Sequence, residues 1–237
     1  MTRNKRNKYL IIALIVVLVI GLIVGIVIYA QARKKSRLSS DTNIEQEGEK
    51  IIVPDNKKTT LSNSIIVSIP AGNFNSYDVN IIFGGISYAN PEWMYKQIPK
   101  NILYRDIVVV APYSTNLSKV ESVYKSFLEN KGYSNKIKDV SIMGFSAGGP
   151  PVFNSYSQKY KLVGLIDPST RESYKDFPYT NNTVMVYNER NWGSQYDSIK
   201  KAMPIVADSI NKKGGVGERV NLSHDKIPKY FFEKYLL

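Results

Sequence analysis

The chain of 237 residues predicts an α/β fold, a three-layer α/β/α sandwich on a mostly parallel sheet, and three observations predict it. Short β-branched runs recur from residue 50 onward, each four to six residues long and bounded by turn formers. Amphipathic stretches of helical period fill the gaps between the later runs, which is the rhythm of strand–helix–strand units. Several of the runs are apolar on both faces, which suits a parallel sheet covered on both sides.

The first element lies ahead of that pattern. Tyr9 to Ala30, "YLIIALIVVLVIGLIVGIVIYA", carries no charged residue. At about 1.5 Å per helical residue it reaches roughly 33 Å, enough to cross a bilayer core, so residues 9–30 are expected to form a transmembrane anchor. The "AQA" at 30–32 resembles a small-x-small cleavage site, but the apolar run is longer than a signal peptide needs, which favours an uncleaved anchor. Residues 1–8 form a basic tail and residues 31–49 a polar linker. Four basic residues lie on each side of the span, so charge alone does not orient it. A short basic tail before a single span is the common export arrangement, which places the domain at 50–237 on the extracytoplasmic side of the cell membrane.

The eight strand-like runs are "KIIVP" (50–54), "SIIVSI" (64–69), "VNIIF" (79–83), "DIVVVA" (106–111), "DVSIM" (139–143), "LVGLID" (162–167), "TVMVY" (183–187) and "ERVNL" (218–222). Between them, residues 117–133 place Val120, Val123, Tyr124, Phe127 and Leu128 on one helical stripe, with Gly132 to cap the end. A second helix is expected after Ala147. Residues 194–215 read as a helix kinked or broken near Pro204 and stopped at Gly214. "IPKYFFEKYLL" closes the chain as a last helix.

Composition excludes several chemistries. There is no cysteine, so disulfides, thiol catalysis and cysteine–zinc sites are ruled out. Net charge is +12, but residues 1–37 hold eight Lys or Arg and no acid, which leaves 24 basic against 20 acidic residues in the remainder. That mild excess is an ordinary solvated surface, and nucleic acid is rejected as a partner. No zinc motif, phosphate loop or dinucleotide fingerprint occurs, and no cofactor is expected.

Residues 144–148, Gly-Phe-Ser-Ala-Gly, fall where the fifth run ends and a helix begins. A serine at such a corner is forced into a strained backbone conformation that lifts its hydroxyl clear of the sheet, and flanking glycines let neighbouring chain approach. Pro150 and Pro151 fit the first helical turn, where a missing N–H costs little. Ser146 is thus the candidate nucleophile; a glycine-rich turn without chemistry is the plainer alternative. The single histidine, His224, follows the last run and precedes the terminal helix, the place for a general base. "IIFGGISY" (81–88) ends a strand in two glycines, and the N–H groups of Ile86 and Ala147 are candidate oxyanion donors; a tight turn without a ligand reads equally well.

On these residues, 50–237 resembles a minimal member of the α/β-hydrolase superfamily. The matching features are the Gly84-Gly85-Ile86 turn after the third strand, the Gly144–Gly149 elbow after the fifth, His224 after the eighth, and the count of eight strands. The resemblance implies an acyl-enzyme on Ser146 and an acid that orients His224. The superfamily usually places that acid after the seventh strand. Here the stretch is "VMVYNERNW", with Asn191 at the acid position and Glu189 two residues before it. A lipase subgroup carries its acid after the sixth strand, which matches Asp167 in "VGLIDPST". Asp167 is preferred, with Glu189 and Asn191 open; Asp225, beside His224, is awkwardly placed. Only residues 168–182 separate the sixth and seventh strands, too few for a lid. The implied partners are a small ester, a lipid or an acylated polymer. The contrary reading, a surface binding module that kept the fold and lost the chemistry, rests on Asn191.

Overall fold

A computed structural model describes residues 57–86, 91–155, 159–188 and 194–237. The expected tail, anchor and linker, and the first strand-like run at 50–54, lie outside the described residues. Among the described residues no helix is long and apolar enough to cross a membrane.

Eight strands form one sheet in the order β1-β2-β4-β3-β5-β6-β7-β8. They are β1 (Lys57–Thr60), β2 (Ile66–Ile69), β3 (Tyr77–Phe83), β4 (Ile107–Ala111), β5 (Ile137–Phe145), β6 (Val163–Ile166), β7 (Thr183–Tyr187) and β8 (Val216–Arg219). β1 and β2 pair antiparallel, as do β2 and β4. Every other pairing is parallel.

The helices are α1 (Pro91–Gln97), α2 (Lys100–Arg105), α3 (Leu117–Asn130), α4 (Gly149–Asn154), α5 (Asp197–Lys212) and α6 (Ile227–Tyr235). Strand alternation decides which helix meets which side chain. Ile81 and Phe83 of β3, Val109 of β4, Ile142 of β5 and Met185 of β7 face α3, α4 and α5. Ile82, Val108, Val110, Met143, Phe145, Ile166 and Val186 face α1, α2 and α6. Two cores thus sandwich the sheet, and Phe145 belongs to the side of α1 and α6.

α3 follows its expected stripe, burying Leu117, Val120, Tyr124 and Leu128. The Asn116 side chain caps it by accepting from the Lys119 N–H at 2.9 Å, and Gly132 takes φ 75° after its end. α5 runs as one helix through Pro204, without the break allowed for there. Its buried residues Ala202, Met203, Val206, Ala207 and Ile210 stay in phase on both sides of the proline. Continuous packing of that stripe outweighs the roughly 3 kcal/mol a mid-helix proline costs. β8 begins two residues before the expected run at 218–222, and the last part of that run enters the loop leading to His224.

Candidate active site

The elbow is built by steric necessity. β5 ends at Phe145, a single 3₁₀ turn spans Ser146–Gly148, and α4 follows with its prolines in the first turn. Ser146 has φ 52°, the left-handed region that an L-residue enters at a cost of order 1–2 kcal/mol. A Cβ on Gly144 would stand 2.1 Å from the Gly148 carbonyl oxygen, and a Cβ on Gly148 would stand 2.4 Å from the Phe83 carbonyl oxygen. Both glycines are therefore demanded by backbone contact. The Ser146 carbonyl accepts from the Gly149 N–H and from the Ser169 N–H, the latter at 2.8 Å, so the elbow is tied to the turn that follows β6.

That turn carries Asp167, fully buried and at φ 42°, a second residue held in the left-handed region. Its N–H donates to the Val186 carbonyl at 2.6 Å. Its Oδ1 accepts the Asn188 N–H at 2.9 Å, and its Oδ2 lies 2.6 Å from His224 Nδ1. A buried carboxylate is expensive unless both oxygens are engaged, and here they are. The carboxylate is the acceptor, so Nδ1 carries the proton and, in the neutral ring, Nε2 keeps its lone pair.

His224 begins a short 3₁₀ turn ahead of α6 and keeps a quarter of its side chain exposed. Its ring stacks on Phe145, the residue before Ser146, with centroids 4.4 Å apart. Asn188 fixes the same loop from below: its backbone holds Asp167 while its side-chain amide donates to the Leu222 carbonyl. Asp225 is exposed, and a hydrogen bond from Ser223 holds its carboxyl below the usual range; the imidazole takes Asp167 instead. Glu189 and Asn191 lie outside the described residues.

The glycine turn after β3 reaches the serine. Gly84 N–H donates to the Ala111 carbonyl at 2.9 Å, which pins the turn to the end of β4. A Cβ on Gly85 would stand 2.8 Å from Ser146 Cβ and 3.3 Å from its Oγ. Ile86, next in the chain, exposes 61% of its surface, and Ala147 N–H lies in the first turn of its helix, where no intrahelical acceptor reaches. The fold thus gathers Ser146, Asp167, His224 and the Gly85–Ile86 turn at the C-terminal ends of the parallel strands, where ligands of open α/β sheets bind. Asn188 and Phe145 were invisible to sequence reasoning. An asparagine closing a strand and an aromatic inside the elbow motif carry no local signal of what they touch. Among the described residues no group of three or more His, Asp or Glu side chains is placed to hold a metal.

No protein-family description matches the sequence, and no curated protein does. Solved structures do. Est1E from Butyrivibrio proteoclasticus is similar at 11% identity and TM-score 0.51, over 77% of this chain and 98% of that one. An uncharacterised protein from Capnocytophaga ochracea is similar at 7% identity and TM-score 0.50, over 75% of this chain and 61% of that one. At such identities the likeness speaks to fold alone. Together with the strand order it defines an α/β-hydrolase-type fold.

Proposed function

We propose that the chain is a membrane-anchored serine hydrolase that cleaves an ester or related acyl bond through an acyl-enzyme on Ser146. The observation that carries this reading is the 2.6 Å contact between Asp167 and His224, on a turn that the Ser169 N–H ties to a serine held at φ 52°. The buried carboxylate selects the tautomer in which Nε2 is free to take a proton and steadies the imidazolium that results. That contact favours chemistry over a binding module, because it orients the imidazole in the tautomer a general base needs.

In this reading His224 Nε2 takes the Ser146 proton as Oγ bonds to the substrate carbonyl carbon. The carbonyl oxygen becomes anionic and is received by the N–H groups of Ile86 and Ala147. The imidazolium then gives its proton to the departing alcohol oxygen as the carbon–oxygen bond breaks. Water attacks the acyl carbon with His224 again as base, and the imidazolium returns that proton to Ser146 Oγ as the Oγ–carbon bond breaks and the carboxylic acid leaves.

The connection from β6 to β7 supports an open cleft. It packs against α4 and α5, with buried Tyr174 stacked on Phe153 at 4.0 Å, the Ser209 hydroxyl donating to the Lys175 carbonyl, and Tyr179 bonded to the Tyr174 carbonyl at 2.5 Å. A small ester, a lipid surface or an exposed acylated polymer suits such a cleft. Residues 9–30 would hold the domain at the membrane. The test is turnover of short p-nitrophenyl esters by the full-length chain. Activity abolished in Ser146→Ala supports the reading; no turnover, or turnover that survives the substitution, contradicts it.

A further inference from the structure

A hydrogen bond to Nδ1 fixes one point of an imidazole and leaves the ring free to twist about that axis. In this site the twist is taken up by an aromatic column. The Phe145 ring stacks on His224 with centroids 4.4 Å apart and planes 29° apart. The Trp93 indole of α1 stacks on Phe145 in turn, at 5.6 Å and 26°. Phe145 is fully buried in the core shared with α1 and α6, so its ring has nowhere to swing.

We propose that Phe145 is a positioning residue for the base: its π face holds the plane of His224 and stabilises the imidazolium formed when Ser146 loses its proton, with Trp93 backing it from α1. The proposal rests on the acyl-transfer reading of Ser146, Asp167 and His224. Its physical basis is the attraction of a cation to an aromatic face, strongest where water is excluded. Phe145 and Ser146 are consecutive, so one strand end carries both the nucleophile and the platform of the base. A shift of the elbow moves the two together and preserves their relation. Asp167 at Nδ1 and, on its own turn, Asp225 also act on the imidazole; Lys226 lies on the same turn.

The chain has a single histidine, so one imidazole C2-proton signal reports on the site without assignment. The experiment follows that signal against pH by NMR in the full-length chain and in Phe145→Leu, Phe145→Tyr and Trp93→Leu, alongside kcat and KM for a short ester. Phe145→Leu is expected to move the imidazole midpoint down by about half a pH unit, the size of a modest cation–aromatic contact. Its kcat falls about threefold with KM nearly unchanged, because the lost interaction matters only once the ring is charged. Phe145→Tyr, which keeps the π face, restores both. Trp93→Leu, at a half-buried site that the fold tolerates more easily, shifts both in the same direction by less. A folded Phe145→Leu with an unmoved midpoint overturns the proposal, and so does a Tyr variant that behaves like Leu. The titration needs no substrate. A shifted midpoint in a chain without ester turnover upholds the column and counts against the acyl-transfer reading alone.

Discussion

The Ser169 N–H donates to the Ser146 carbonyl at 2.8 Å, joining the turn of Ser146 to the turn of Asp167. Asp167 lies two residues before that donor and reaches His224 at 2.6 Å. The position of the carboxylate is therefore set by the same backbone that sets the serine. Replacing Asp167 by Asn keeps the shape and removes the charge. Steady-state kinetics should show kcat/KM reduced by roughly 10²–10⁴-fold with KM little changed, since the charge acts on the imidazolium. A loss below tenfold would assign the orienting role elsewhere.

Two glycines near the serine should fail in different ways. A methyl at Gly148 meets the backbone oxygen of Phe83 at 2.4 Å, and backbone cannot step aside. Gly148→Ala is expected to lose about 3 kcal/mol of stability, read by chemical denaturation. A methyl at Gly85 meets the Ser146 side chain instead, 2.8 Å from Cβ and 3.3 Å from Oγ. Gly85→Ala should stay folded and lose at least a hundredfold in kcat, because the turn carrying Ile86 is pushed off the serine.

Acid stability should depend on Glu218. Burial pushes its carboxyl up, but hydrogen bonds from Lys234, Tyr235 and Tyr230 outweigh burial and hold it below the usual carboxylate range. A depressed carboxyl contributes stability above its unfolded pKa, and that contribution is lost as pH falls through the folded value. Glu218→Gln is thus expected to lower the Tm at pH 7 by a few degrees, with the gap to the parent closing below about pH 4. A gap that stays constant into acid would show that the ion pair contributes nothing.

The proposed anchor makes a separable prediction. The full-length chain should remain with membranes after an alkaline carbonate wash, and a chain lacking residues 9–30 should not. In intact cells, added protease should degrade the domain if it faces outward, and leave it untouched if the orientation is reversed.

Much of the fold was legible because buried parallel strands read as unbroken apolar runs. Ile107–Ala111 and Val184–Tyr187 are such runs, and each became strand with every residue buried. β1 was not legible. "KKTT" is a polar, mostly exposed edge strand, recognised only by its pairing with β2. α1 and α2 were missed as well, being too short to display a stripe. Ser146 and His224 stood out, one by its motif and the other by being the only imidazole. Asp167 was only preferred among three residues. Which carboxylate meets a histidine 57 positions away is decided by strand order, a property of tertiary structure. Phe145 and Trp93 lie deeper still, because stacking between a strand end, a loop and a helix has no spacing in the chain to betray it.

Reaction with a fluorophosphonate probe reads the nucleophile itself. Peptide mass mapping of the full-length chain should place a single adduct on Ser146, and the adduct should vanish in Ser146→Ala and fade strongly in His224→Ala. A folded chain that takes up no probe, or takes it at another serine, would contradict the account.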